Sequence, residues 1–157
     1  MSDDLPPPPA PAPTPIDEKG SLWISGVIED WQAVHDCGIT VIVDLEAGVD
    51  RGVPAHTDRI LYVYLPIDDG KLPNLDRLHA VADLVAFLMG QGHRVLSHCG
   101  MGLNRSALVA GLALVRQGMP AEEALALIRA RRPGALYNET FARHLLDHRC
   151  LGSIEDQ

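Results

Sequence analysis

Lysine is almost missing from this 157-residue chain, with only Lys19 and Lys71 present, and the formal net charge is −8. The segment through Gly20 accounts for −3 of that charge and the last five residues for −2, leaving −3 on the remainder. Such a balance offers no basic surface for nucleic acid or anionic lipid, so neither is expected as a partner. Cysteine is also scarce. Cys37, Cys99 and Cys150 are too few and odd in number for a disulfide framework. No apolar run approaches a membrane span, and the N-terminus has no basic region followed by an apolar stretch. The expectation is a cytoplasmic protein without a membrane anchor. No internal repeat is visible.

Proline is plentiful but confined. Seven of the twelve prolines lie within residues 1–20, with no apolar periodicity beside them. That stretch is expected to be a disordered or polyproline-like tail, able to dock on aromatic grooves of partner domains. One domain over residues 21–152 and a short tail at 153–157 complete the expected organisation.

Within the domain, Ser21 to Ser25, Ile39 to Leu45, Ile60 to Leu65 and Arg94 to Ser97 read as strands. Helices are expected over Glu29 to Cys37, with Gly38 as stop, and from Asn74 as cap to about Gly90. The second would bury Leu75, Leu78, Ala82, Val85 and Met89. Ala107 to Val115 is apolar all round, which marks an interior helix. Pro120 and Asn138 open two more. Strands alternating with helices imply an α/β fold, a single domain with a mostly parallel sheet flanked by helices.

The chemistry concentrates in His98-Cys99-Gly100-Met101-Gly102-Leu103-Asn104-Arg105-Ser106, between the fourth strand and the interior helix. Five residues separate Cys99 from Arg105, enough to curl backbone N–H groups toward one point as an anion nest. Gly100 and Gly102 let the chain turn inward. The positive end of the helix beginning near Arg105 favours a phosphate dianion there, and the thiolate form of Cys99. The planar fork of Arg105 can hold two phosphoryl oxygens at once. Transfer of a phosphoryl group from an alkoxide or phenoxide also needs a proton donor across the pocket. Asp68 and Asp69, before Gly70, are candidates, though both suit an ordinary turn.

His98-Cys99 with Gly102 and Arg105-Ser106 resembles the signature loop of the cysteine-dependent protein tyrosine phosphatases, in particular their dual-specificity branch. The resemblance covers roughly residues 22–148. Leu65-Pro66-Ile67-Asp68-Asp69-Gly70 is similar to the general-acid loop of the regenerating-liver and atypical groups. Arg132-Pro133-Gly134 is similar to a segment after the second helix beyond the loop. The resemblance implies a phosphatase-like fold and hydrolysis of phosphorylated protein or peptide through a phosphocysteine, without metal or other cofactor. It implies Cys99 as nucleophile, Arg105 as phosphate clamp, Asp69 as general acid with Asp68 as alternative, and Ser106 as a hydroxyl that assists the departing sulfur. His98 is expected to order the loop through backbone hydrogen bonds, and Asn104 to brace it.

Other readings follow from the same residues. An RNA 5′-triphosphatase shares the Gly102-x-Asn104-Arg105 pattern but does not require the aspartate pair. A phosphoinositide phosphatase usually places lysines in the loop. A phosphate-binding pseudophosphatase would not need the full set, and a sulfur-transferase would not need the aspartates. Arg129, Arg131 and Arg132 form either a solvated helix end or a patch that steers anions. Some relatives carry a glutamine after Gly134 to position water; this chain has none before His148, and Asn138 is read as a helix cap. His144 and His148 share a helical face, but no third metal ligand is evident. A reactive Cys99 could also pair reversibly with Cys37 or Cys150.

Overall fold

Three parallel ladders build the centre of the fold. In the computed structural model, which describes residues 12–148, β2 (Leu22–Ser25), β3 (Val41–Asp44), β4 (Leu61–Tyr64) and β5 (Val95–His98) run parallel, and the short β1 (Thr14–Pro15) is antiparallel to β2. The spatial order is β1-β2-β5-β3-β4. Register sets Ser25, His98, Asp44 and Tyr64 in one row at the strands' C-terminal ends. In open α/β sheets that edge is where loops converge to form sites.

Side chains alternate across the strands. Val41, Val43 and Val95 face a large core shared with α2 (Leu75–Gly90), α3 (Arg105–Arg116), α4 (Ala121–Arg131) and α5 (Glu139–Leu146). Ile42 and Leu96 face a smaller core with Val34 of α1 (Trp31–Asp36). Every residue of α3 from Ser106 to Val115 is buried, as its unbroken apolar character requires. Gly111 sits where a Cβ would come 2.7 Å from Leu145 Cδ2, so α5 approaches α3 closely there.

Side chains cap the starts of α1, α2 and α5. Asn74 accepts from Arg77 N, Asn138 from Phe141 N, and Asp30 from Gln32 N and Ala33 N. The expected stripe on α2 is buried at Leu78, Ala82, Val85 and Met89, whereas Leu75 is 44% exposed. It is the first helical residue and lies beyond the packed stripe.

The expected tail needs correction at its inner end. Thr14 and Pro15 pair with Ile24 and Trp23, Ile16 is fully buried, and Ile16 N donates to Leu22 O at 2.9 Å. Proline is compatible with this position because an edge strand leaves one side unpaired. Residues 1–11, the expected tail at 153–157 and Cys150 lie outside the described residues. No helix among the described residues is long and apolar enough to cross a membrane.

Candidate active site

The loop from Cys99 to Asn104 joins β5 to α3 at the row of strand ends. Cys99 is 2% exposed; Gly102 N donates to its Sγ at 3.2 Å, and Ser106 Oγ stands 3.2 Å from the same sulfur. Ser97 Oγ donates to Ser106 O at 3.0 Å, pinning the first turn of α3 to the strand that carries the thiol. Gly102 has φ +69°, and a Cβ there would lie 2.5 Å from the Ser25 carbonyl carbon. A Cβ on Gly100 would meet Glu46 Oε2 at 2.5 Å and Arg105 Nη2 at 3.4 Å. Both glycines are therefore sites of close approach. Met101 is exposed on the rim, while Leu103 and Asn104 are buried.

Arg105 points back across the loop. Its Nη2 donates to Glu46 Oε2 at 2.8 Å, Nη1 donates to Ile67 O at 3.2 Å, and Nε is 3.8 Å from Asp69 Oδ1. Burial acts to raise the Glu46 pKa, but the Arg105 hydrogen bond, the Ala47 N–H and the Arg105 charge together hold it below its ordinary value. Glu46 went unrecognised in the sequence; an acid two residues after a buried strand carries no signal of a partner 59 positions away.

The two aspartates make different contacts. Asp68 Oδ1 accepts from Gly70 N at 2.6 Å and shapes the turn. Asp69 is the one of the two whose carboxylate reaches Arg105, and its side chain is 43% exposed at the rim. Its main-chain oxygen accepts from Asn138 Nδ2 at 2.7 Å. Asn138 thus caps α5 and also holds the aspartate loop. Asn104 braces the opposite side, with Oδ1 accepting from Asn138 N at 3.0 Å.

Two expectations are corrected. Among the described residues the His98 side chain makes no hydrogen bond to backbone: its Nε2 lies 2.6 Å from Asp50 Oδ2 and 3.6 Å from Asp44 Oδ1, and its Nδ1 has no partner. Asp44 also accepts from Tyr62 Oη, and Asp50 N donates to Tyr62 Oη at 2.9 Å. Burial pushes the Asp44 pKa up despite the Tyr62 and Glu46 N–H hydrogen bonds and the nearby His98. This polar cluster lies behind the loop, and its partners are too distant in sequence to be paired by inspection. Arg132, in turn, is no solvated helix end. It is 2% exposed, with Nε donating to Gly102 O, Nη2 to Met101 O at 3.1 Å and Nη1 to Thr14 Oγ1 at 2.9 Å. Arg129 donates to the oxygens of Ala135 and Leu136, and both it and Arg131 are exposed, unlike Arg132. Cys37 packs against the smaller core and Cys99 against the larger one.

Comparison with known proteins agrees with this arrangement. The family model described as "Dual specificity phosphatase, catalytic domain" matches residues 27–150. Human protein tyrosine phosphatase type IVA 3 is 34% identical over 116 residues, 72% of this chain and 65% of that protein. Dual specificity protein phosphatase 1 of Arabidopsis thaliana is 31% identical over 106 residues, 66% of this chain and 54% of that protein. The chain therefore spans less than two thirds of the length of these relatives. Among solved structures, human DUSP28 superposes with a TM-score of 0.72 at 20% identity, covering 87% of this chain and 91% of that one. Tk-PTP in its active form superposes with a TM-score of 0.67 at 23% identity, covering 88% and 98%. A fold with the thiol and guanidinium at one sheet edge, and a family match across most of its length, lead to one assignment: the chain belongs to the dual specificity phosphatase catalytic-domain family.

Proposed function

We propose that the protein hydrolyses phosphomonoesters on proteins, phosphotyrosine foremost and phosphoserine or phosphothreonine as well, through a phosphocysteine intermediate. The observation that carries this reading is the convergence of Cys99, Arg105 and Asp69. The sulfur sits in the loop at the N-terminus of α3, the guanidinium is held beside that loop by Glu46, and the aspartate faces the guanidinium from the rim.

In the first step Cys99 Sγ attacks phosphorus as the bond to the ester oxygen breaks, and Asp69 gives that oxygen its proton. Arg105 gathers the charge that builds on the phosphoryl oxygens, and the dipole of α3 adds to it. In the second step water attacks phosphorus, Asp69 takes the water's proton, and the sulfur leaves. The Ser106 hydroxyl, 3.2 Å from Sγ, donates to the departing thiolate. A reactive thiol persists best in a reducing compartment, which supports a cytoplasmic site of action.

The loop from Gly100 to Asn104 contains no lysine to meet additional phosphates, and the domain is acidic, so lipid and RNA phosphates are less well matched than a phosphoprotein. The test is a side-by-side assay of phosphotyrosine peptide, phosphothreonine peptide, inositol lipid and triphosphorylated RNA. Phosphopeptide turnover that Cys99→Ser abolishes is expected. Preferential release of phosphate from lipid or RNA, or activity persisting in Cys99→Ser, would overturn the reading.

A further inference from the structure

Three histidines with no place in the chemistry above meet between α2 and α5. His79 comes from the second turn of α2, His144 from the last turn of α5, and His148 from the turn just beyond it. His148 N donates to Leu145 O at 3.1 Å, so the helical path continues far enough to keep His144 and His148 on one side. The ring centroids are 5.4 Å apart for His79–His144, 4.7 Å for His79–His148 and 4.5 Å for His144–His148. All three rings are partly buried, and one nitrogen from each lies within 4.8 Å of the others.

We propose that His79, His144 and His148 form a zinc site that staples α5 to α2, with water as the fourth ligand. Zinc bound by imidazole at about 2.0–2.1 Å in a tetrahedron spaces its ligand nitrogens about 3.4 Å apart. His79 Nε2 and His144 Nε2 already stand 3.2 Å apart. His148 is set in the matching tautomer. Its Nδ1 lies 2.6 Å from His144 O, an acceptor only, so Nδ1 bears the proton and Nε2 keeps its lone pair. Such an outer hydrogen bond is the usual means of orienting a ligating histidine. Imidazole nitrogens suit a borderline divalent cation better than a hard one.

One rearrangement accompanies loading. Arg116 Nη2 lies 3.0 Å from His79 Nδ1 and Arg116 Nε lies 2.6 Å from Asp83 Oδ1. With Arg116 donating, the His79 proton sits at Nε2. When zinc takes the Nε2 lone pair, the proton moves to Nδ1 and Arg116 turns away. Asp83, one helical turn along α2 from His79, then accepts it. No proton leaves the ring in balance, and no oxidant or reductant is needed. The sequence exposes only the His144–His148 half of this site, because His79 is 65 residues from His144.

The 157-residue protein, freed of metal with a chelator, is titrated with zinc chloride by calorimetry, beside His79→Asn, His148→Asn and Cys99→Ser. Thermal unfolding with and without zinc is recorded for each, and cobalt(II) spectra are taken on the parent protein. One equivalent is expected to bind the parent and Cys99→Ser alike, to raise the unfolding temperature of both, and to weaken at least tenfold in each histidine variant. Cobalt should show tetrahedral d–d bands without thiolate charge transfer. His148→Asn changes a residue past the end of α5, so it keeps the test open if His79→Asn folds poorly. Binding that is unchanged in both histidine variants, that disappears with Cys99→Ser, or that is undetectable in the parent protein overturns the proposal.

Discussion

Asn138 donates from Nδ2 to the main-chain oxygen of Asp69 at 2.7 Å while its Oδ1 accepts from Phe141 N at 3.2 Å. One side chain therefore caps α5 and ties the helix to the loop bearing the proposed acid. Substitution can separate these duties. Asn138→Asp retains a capping oxygen but loses the donor to Asp69, so stability should hold while turnover of esters with poor leaving groups falls several-fold. Asn138→Ala loses both and should cost about 1 kcal/mol of stability as well. Chemical denaturation paired with kcat measurements distinguishes the two; equal turnover in Asn138→Asp and the parent would remove Asn138 from any positioning role.

The assignment of the acid to Asp69 rather than Asp68 predicts unequal mutants. Asp69→Asn should lower kcat by about 10²-fold or more for aryl phosphates with poor leaving groups, and much less for good ones, because only the former need a proton during bond cleavage. Asp68→Asn should lose less, through a looser turn at Gly70. A leaving-group series for both variants checks this, and a reversed ranking would transfer the role to Asp68.

How far the sequence reveals this site depends on the range of the interaction. The thiol, the glycines, Arg105 and Ser106 are contiguous, and α3 announces its burial by carrying no polar face. Asp69 becomes a candidate through the resemblance of Leu65 to Gly70 to a general-acid loop. Glu46, Arg132 and the Asp44–Asp50–Tyr62 group behind His98 are different. Each is an ordinary charged or polar residue locally and gains meaning only from a strand pairing or a turn that brings a distant partner near. Thr14 and Ile16 escaped notice for a related reason: the prolines around them mask a short edge strand whose pairing is set by β2.

The Glu46–Arg105 pair should give the protein a recognisable response to acid. Because Arg105 holds the folded-state Glu46 pKa below its ordinary 4.5, the folded state binds fewer protons than the unfolded state in that range. The pair's stabilisation is then fully present above pH 4.5 and is lost as the pH falls through the lower, folded value. Unfolding temperature measured against pH should fall more steeply in the parent than in Glu46→Gln across this window, and the two curves should converge below it. At neutral pH, Glu46→Gln should also raise KM for an aryl phosphate, since Arg105 loses the partner that aims it. Parallel stability curves throughout would show that the pair contributes nothing measurable to folding.

Arg132 tests whether the loop is self-supporting. Its guanidinium donates to the oxygens of Gly102 and Met101 and to Thr14 Oγ1, with 2% exposure. A lysine keeps the charge but cannot reproduce three divergent hydrogen bonds, so the geometry and not the charge alone should be decisive. Arg132→Met leaves one buried and one partly buried carbonyl without this donor and should cost about 2–4 kcal/mol, by the usual penalty for unpaired buried polar groups near a charged partner. Arg132→Lys should recover part of the stability but little of the activity, because the carbonyls of Met101 and Gly102 would no longer be held back from the phosphate position. Denaturation midpoints and kcat/KM for the two variants supply the check. Full activity in Arg132→Lys would mean that the glycines and the Gly102 N–H to Cys99 contact suffice to shape the loop unaided.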